Sequence, residues 1–274
     1  MKPIAHHPND PVDLADLIGG DRRHLAHSDE IMIGQAEPRP LASSIMNSLW
    51  IAGGLAVIEP SSAELCAALR SVAARSAGLF RLMVEMPGEY PIPLGDGRRA
   101  ILPNIGVTGD TSVDRWLTGF YAACVVRDEA ALLRFATTPV ADLRRSTTRA
   151  DNCMFLWVEV LQSWQTSAPE TAAKLRAALE ATDPARLQIS DSNYILNILV
   201  PVMQLLFRVI EGDAAAFDDA LQFAVERHKK YWGSAKHHND PEGFIALGPL
   251  AMMSLARDAG IAVDPASDYL PHCS

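Results

Sequence analysis

The sequence predicts a mainly α-helical protein, an irregular array of antiparallel helical hairpins with a small β-hairpin insert near residues 79–102. Two observations predict this class. Apolar residues recur at helical spacing along most of the chain, and from residue 112 onward amphipathic segments come in pairs with short connections. Such pairs are typical of tetratricopeptide-like solenoids. The spacing between pairs is irregular and no strict repeat consensus is present, so we expect a repeat-like array rather than a repeat protein.

The first hundred residues predict three kinds of structure. Residues 1–40 are rich in Pro, His and Asp, with one short helical candidate at 12–18 that ends at Gly19-Gly20, so we expect a loosely packed N-terminal arm. An apolar helix over 41–57 and an amphipathic helix over 63–76 should form a hairpin, since Pro60-Ser61-Ser62 separates them.

Residues 79–102 contain the β signals. Apolar and polar residues partly alternate over 80–85, as in a strand. Residues 90–94 contain prolines, which restrict that segment to an edge strand. Asp96-Gly97 predicts a turn before a further strand over 98–102. We expect two or three strands. The loop at 103–111 then divides the chain into an arm (1–40), a helical hairpin with its β insert (41–111) and a helical-pair domain (112–274). One continuous domain over 41–274 is the alternative.

Three helical pairs are predicted in the C-terminal part: 113–126 with 129–136, 153–167 with 169–181, and 194–210 with 214–231. Asp213 should cap the last of these helices, and Pro201 should kink the helix that contains it or delay its start.

The end of the chain has its own signals. Gly233 should end the preceding helix in the left-handed conformation, and Asp240-Pro241 should begin the next. Residues 244–259 are apolar on nearly every side, which predicts a buried central helix, and the apolar tail over 261–271 should dock onto the core.

Composition limits the function. The net charge of −9 is opposite in sign to that of most nucleic-acid binders, and it suits a basic protein partner better. No apolar run reaches the length of a membrane span and no secretory signal is evident, so we expect a cytoplasmic protein without a membrane partner. The widely spaced cysteines, at positions 66, 124, 153 and 273, predict buried reduced thiols rather than disulfides or a metal site.

No catalytic constellation is recognisable, so no enzyme and no cofactor is predicted. His228, His237 and His238 with Asp240 are candidate metal ligands, but solvated loop histidines are the better interpretation because His237 and His238 are adjacent. The acids of the 214–231 helix are better explained by a cap and an exposed face, and no pair of acids lies in an apolar context that would raise a pKa. Neither a nucleophile motif nor a phosphate-binding loop is present.

The aromatic residues could anchor a partner, although core packing is the more common role of helical aromatics. The residues concerned are Trp116, Trp157, Trp164, Tyr231, Trp232 and Tyr269. Tyr269, with Asp268, is expected to anchor the C-terminus.

The C-terminal motifs carry a family resemblance. KYWG (230–233), NDPEGFIALGPLAMMSLARDAGI (239–261) and SDYLP (267–271) resemble the end of the immunity 49 family, predicted antitoxins of bacterial polymorphic toxin systems. Looser similarity extends back to about Val113, through TGFYAACVVRDEAALL and LLFRVIEGDAAAFDDAL.

This resemblance implies an immunity protein that blocks a cognate secreted toxin by steric and electrostatic occlusion. We expect the interface on acidic loops and helical faces, at Asp218, Asp219, Glu226 and Asp240. Two alternatives stay open: a tetratricopeptide-like adaptor that binds another protein, and an all-α metal-dependent hydrolase that uses the histidine group.

Overall fold

A computed structural model describes residues 2–8, 14–84, 86–263 and 266–273. The fold is mainly helical with a small two-stranded antiparallel sheet, as predicted. The N-terminal elements are α1 Leu14–Gln35, α2 Pro40–Ile58, α3 Ala63–Val84, β1 Glu89–Pro93 and β2 Arg99–Pro103. The later helices are α4 Val113–Val126, α5 Glu129–Thr137, α6 Val140–Leu143, α7 Asn152–Gln165, α8 Thr171–Glu180, α9 Ser192–Tyr194, α10 Val200–Glu211, α11 Ala214–Trp232 and α12 Leu247–Asp258.

Helix α1 corrects the expectation of a short helix and a loose arm. It continues through Gly19-Gly20 to Gln35 and buries Ile18 and Met32 in the main core. Glycine lowers helix propensity by only about 1 kcal/mol, and tertiary packing offsets that cost. Residues 12 and 13 of the predicted segment lie outside the described residues.

Helix α3 also corrects a prediction. Residues 80–84 are helical rather than a strand, because Phe80, Leu82 and Met83 extend the buried face of α3; residue 85 lies outside the described residues. The other two predicted strands exist as β1 and β2, which pair Ile92 with Ala100. Gly78 lets this hairpin pack on α3, since a Cβ there would lie 2.3 Å from Cγ2 of Ile92.

A buried ion network joins α1, α3 and the hairpin. The Asp29 carboxylate accepts from Nη1 and Nη2 of Arg75 at 2.7 and 3.1 Å, and both side chains are 1% exposed. Arg75 Nε donates to Ser71 Oγ and to the carbonyl of Leu94, while Arg98 approaches the same carboxylate from the hairpin. Each charge in this network therefore has a partner, as buried charges require.

The predicted helical pairs are present as α4 with α5, α7 with α8, and α10 with α11. Ser112, Asp128 and Asp213 cap their helices as N-cap acceptors. One hydrophobic cluster takes residues from all three predicted parts of the chain, from Ile18 to Leu270. The repeat-like interpretation and the proposed domain division stay predictions.

The irregularity predicted at Pro201 is a π turn. Residues Ile195–Leu199 form it between α9 and α10, just before the proline. A π turn shifts the hydrogen-bond register, which accommodates the missing N–H of proline.

Two local predictions near the C-terminus are wrong, and a third holds in part. Gly233 has φ −78°, so it is not left-handed. Asp240-Pro241 does begin a helical element, but this is a 3-10 turn, Pro241–Phe244, which the Asp240 side chain does not cap. Helix α12 begins only at Leu247, not at residue 244. The change of direction at Ile245 and Ala246 lets the segment before α12 lie across α2.

The two chain ends pack together. Tyr269 Oη lies 2.7 Å from both the backbone N and Nδ1 of His7, and the backbone of Ile4 pairs with that of Ser267. The tail therefore docks as expected, and Tyr269 holds the N-terminal segment at His7 as well as the residues before α12, since its carbonyl accepts from the backbone N of Ala246. Residues 264 and 265 lie outside the described residues.

The cysteines divide into two kinds. Cys66 and Cys273 form a disulfide, with Cα atoms 5.4 Å apart, which corrects the expectation of a reduced thiol at both positions. Spacing could not reveal this pair, because the two residues are 207 positions apart. Cys124 and Cys153 are free and buried, as predicted.

Two helical stretches have the length and hydropathy of a membrane span, contrary to the expectation from the sequence: Pro40–Ile58 and Ser192–Glu211. The fold itself buries 72% of the first window and 50% of the second, so they are weak evidence for a membrane.

Candidate functional site

A cleft of about 700 Å³ opens between α2, the start of α4, the π turn, α11 and the segment before α12. Its polar lining comes from residues far apart in the sequence: Asp110, Asp114, Arg115, Tyr194, Asn197, His228, Tyr231, His237, Asp240 and Glu242. We call it the central cleft. Its volume is in the range of ligand-binding pockets.

Close backbone packing positions Glu242 in the central cleft. On one side Pro241 lies against Gly53 of α2, where a Cβ would be 1.9 Å from the Pro241 carbonyl oxygen. On the other side Gly243 lies against the Trp232 ring, and its carbonyl accepts from His228 Nε2 at 2.8 Å. The two glycines and the buried histidine therefore fix the backbone on both sides of Glu242.

The environment of Glu242 disfavours its ionised form. Burial raises the pKa of Glu242 to about 7, and the nearby charge of Asp240 adds to the effect. His237 and Arg115 oppose it only in part. Burial likewise raises the pKa of Asp114, in the first turn of α4.

The cations near these acids already have partners. Arg115 Nη1 donates to the Ala42 carbonyl at 3.0 Å, and its Nη2 lies 3.7 Å from Asp110. His237 Nδ1 lies 2.9 Å from Asp240 Oδ2. Of the acids that line the central cleft, Glu242 and Asp114 are thus the two without an ion pair among the described residues.

Aromatic rings form one wall of the cleft. Tyr231 stacks on His237 with centroids 4.7 Å apart and meets Tyr194 edge-on at 5.8 Å. Trp232 lies edge-on to Tyr231 at 5.3 Å. Burial, followed by the charge of Asp114, raises the pKa of the Tyr194 hydroxyl well above its usual value, so this group stays protonated as a donor.

The π turn adds Asn197 to the same wall. Its Nδ2 donates to the Asn193 carbonyl at 2.8 Å, and its Oδ1 accepts from Arg227. Single π turns occur often at functional sites, because the added residue re-aims side chains.

The predicted metal ligands do not converge on one point in the structure, because each histidine has a different partner. His228 is buried and donates to a backbone carbonyl, His237 pairs with Asp240, and the ring Nε2 of His7 lies 3.2 Å from the His238 carbonyl. The interpretation as solvated loop histidines is therefore wrong for His228, whose pKa burial lowers to about 3. Within the described ranges, no group of three His, Cys, Asp or Glu side chains could hold a metal ion.

The predicted interface residues separate into two places. Asp240 lines the central cleft, whereas Asp219 and Glu226 are exposed and Asp218 is half-buried, all three along α11. Among the predicted aromatic anchors, Trp116, Trp157 and Tyr269 are core residues with no exposed area.

Sequence reasoning missed Glu242 and Asp114 as a pair. They lie more than a hundred residues apart, and the statement that no acids share an apolar context is wrong for them. The one sequence feature that could have drawn attention to Glu242 was its place within the NDPEGF motif, directly after Pro241.

A scan against protein-family models matches residues 59–273 to Immunity protein 49. The chain belongs to the immunity protein 49 family. This match confirms the resemblance carried by the C-terminal motifs and extends it from about Val113 back to residue 59. The matched residues include those that line the central cleft from Gly109 to Pro249. No match was found among curated proteins or among solved structures.

Proposed function

We propose that this chain is an antitoxin that binds a cognate secreted bacterial toxin and blocks it by steric and electrostatic occlusion. Membership of the immunity protein 49 family over residues 59–273 carries the proposal. Binding alone accounts for this role, and we assign the protein no chemistry, cofactor or nucleic-acid partner.

The net charge of −9 supports an electrostatic component. Complementary potentials accelerate encounter with a basic partner and disfavour wrong partners. Such a toxin would present positive charge at or near its active site, so occupying that surface would exclude its substrate.

The exposed acids of α11 are the proposed rim of the interface. Asp219 and Glu226 are exposed and Asp218 is half-buried on α11, while Asp240 lines the central cleft. Charge reversal of the three α11 acids should slow association with the toxin, since rim charges act mainly on the on-rate. Unchanged protection and unchanged association kinetics would remove this surface from the interface.

Co-expression tests the function. A candidate toxin domain, taken from a gene that neighbours the one for this chain, is expressed with and without the chain, and cell survival and co-purification are scored. Rescue together with a stable complex is expected. Toxicity that the chain does not relieve, with no complex formed, would contradict the proposal and favour an adaptor for another protein.

We also propose a cytoplasmic location, where a toxin that enters the cell would act. The Cys66–Cys273 disulfide is the feature of the structure that speaks against this location, because thiols stay reduced in the cytoplasm. Cell fractionation tests the location: recovery of the protein in the cytoplasmic fraction is expected, and recovery from an oxidising compartment would contradict the proposal.

A further inference from the structure

The charges of the central cleft do not cancel. Arg115 and His237 face Asp110 and Asp240, which leaves Glu242 and Asp114 without a cation within ion-pair distance among the described residues. Glu242 is half-buried, and a partly buried charge without a partner costs free energy, whereas Asp114 is exposed to solvent. A cation that enters the cleft would remove that cost for Glu242 and would find a second partner in Asp114.

The aromatic wall suits the same kind of ligand. Tyr194 and Tyr231 line the cleft, and neither hydroxyl makes a hydrogen bond within the described part of the chain. One face of the Tyr231 ring is covered by His237, which leaves Tyr194 as the ring on which a ligand can stack. Ring faces attract cations, and the attraction is stronger when the cation is desolvated. The wall thus offers both cation–π contacts and polar acceptors.

Two features favour a guanidinium group over other cations. No cluster of three metal-ligating side chains exists among the described residues, which disfavours a divalent ion. A guanidinium is planar, has five donors, stacks on aromatic faces and is more weakly hydrated than an ammonium group. It can therefore contact two carboxylates from α4 and from the segment before α12 while it stacks against a tyrosine.

The opening also favours a side chain that belongs to a protein. The cleft is open to solvent, is large enough for an arginine with its flanking residues, and lies beside Asp240, which continues toward the acidic surface of the chain. Arginine is enriched among the residues that dominate binding energy at interfaces.

We propose that the central cleft binds an arginine side chain of the cognate toxin, held by the carboxylates of Glu242 and Asp114 and by the aromatic ring of Tyr194. This inference rests on the proposed function. It names the group that the antitoxin captures, and it places the centre of the interface in the cleft rather than on α11.

The test compares toxin binding by Glu242→Gln and Asp114→Asn with that of the wild type. Both changes keep the side-chain shape, and thermal unfolding verifies that each variant is folded. Kd should rise at least about tenfold for Glu242→Gln, because removal of one partner of a desolvated charge pair is costly. The rise should be smaller for Asp114→Asn, because the Asp114 side chain is exposed to solvent. Glu180→Gln, the same change at an exposed position of α8 outside the cleft, is the matched control and should leave Kd within about twofold.

Substitution of each surface arginine of the toxin by Gln supplies the second half of the test. One of these substitutions should weaken binding as much as Glu242→Gln does, and the combination of the two should cost less than the sum, since both remove the same contact. A toxin that binds the wild type and Glu242→Gln equally would overturn the inference and leave the antitoxin function intact. Loss of binding in Glu242→Gln with no matching toxin arginine would overturn it as well.

A small probe distinguishes a protein arginine from a free cation. Calorimetry at pH 8 compares N-acetyl-arginine amide with N-acetyl-citrulline amide, which has nearly the same shape and no charge. Preference for the arginine probe that Glu242→Gln abolishes is expected alongside toxin binding in the cleft. The same preference in a protein that neither binds nor neutralises the toxin would instead assign the cleft to a small cationic molecule, and both the inference and the proposed function would fall.

Discussion

Two clusters of charged side chains in this protein differ in whether their charges are paired. The Asp29–Arg75–Arg98 network has a partner for every charge, and it joins α1, α3 and the β-hairpin at 1% exposure of Asp29 and Arg75. In the central cleft, the half-buried Glu242 and the exposed Asp114 have no ion pair among the described residues, and desolvation raises the pKa of each. The first arrangement serves the fold, and the second is costly to the fold unless a ligand completes it.

The largest expected effect comes from breaking the complete network. Asp29→Ala should lower the free energy of unfolding by about 3–5 kcal/mol, because Arg75 would remain buried without a counter-charge. Chemical denaturation measures it. The control is Glu64→Ala, which removes the exposed pair with Arg22 and should cost at most about 1 kcal/mol. Equal losses for the two variants would show that the network contributes no more than a surface ion pair.

The next effect concerns His228, which lines the central cleft, and the pH dependence of the free energy of unfolding. Burial lowers the pKa of His228 to about 3 from the usual 6.5, so the unfolded chain binds more protons between these values. The stabilising contribution is complete above pH 6.5 and is lost as pH falls toward 3, at about 1.4 kcal/mol per pH unit. Burial also lowers the pKa of His6 and His7, which adds to the same trend.

Denaturation at pH 7, 6, 5 and 4 measures this dependence. His228→Gln can still donate to the Gly243 carbonyl and should flatten the curve. Because the contribution of Glu242 changes in the opposite direction over the same pH range, the decisive quantity is the stability difference between the wild type and His228→Gln. A difference that stays constant from pH 7 to 5 would contradict the assignment of His228 as a neutral buried donor.

A smaller loss of stability is expected from adding a side chain at Gly53, which packs against the segment that positions Glu242. Gly53→Ala puts a Cβ 1.9 Å from the Pro241 carbonyl oxygen, and a backbone atom cannot move aside as a flexible side chain can. We expect a loss of about 1–3 kcal/mol and weaker toxin binding, since Glu242 shifts. Gly34→Ala in α1, where a Cβ meets nothing within 4 Å, is the matched control and should not destabilise the protein. Normal stability and binding in Gly53→Ala would mean that this contact does not position the site.

The smallest effect has the opposite sign. Burial raises the pKa of Glu242 to about 7 from 4.5, so its contribution to stability is complete below pH 4.5 and is lost as pH rises through 7. Glu242→Gln should therefore be neutral near pH 4.5 and should stabilise the protein at pH 8 by on the order of 1–2 kcal/mol, a value discounted for solvent screening. Destabilisation at pH 8 would show that Glu242 is a structural residue whose ionised form the fold favours.

Most of the fold followed from local sequence signals. The limits of α4 and the cap of α11 by Asp213 were predictable because a capping side chain precedes an amphipathic segment. Helix α1 was not, since Gly19-Gly20 is a local stop signal that packing against α2 overrides. The burial of Asp29 was not predictable either, because its partner Arg75 lies 46 residues away.

The candidate site was less accessible from the sequence than the fold. Asp240 was predicted as the start of a helix and as an interface residue, whereas no sequence signal singled out its neighbour Glu242. Burial and missing counter-charges are properties of the assembled cleft, in which Asp114 and Glu242 meet across long sequence separation. The family resemblance indicated the protein's role but not the residues that perform it.

The most direct test of the incomplete cluster is a site-resolved pH titration of the Glu242 side-chain carboxyl carbon by NMR, assigned with Glu242→Gln. In the free protein the midpoint should lie near pH 7, and it should fall once the toxin or the arginine probe is bound, because a cation favours the ionised carboxylate. A midpoint near 4.5 in the free protein would contradict the account, since Glu242 would then already be solvated or paired and would need no ligand.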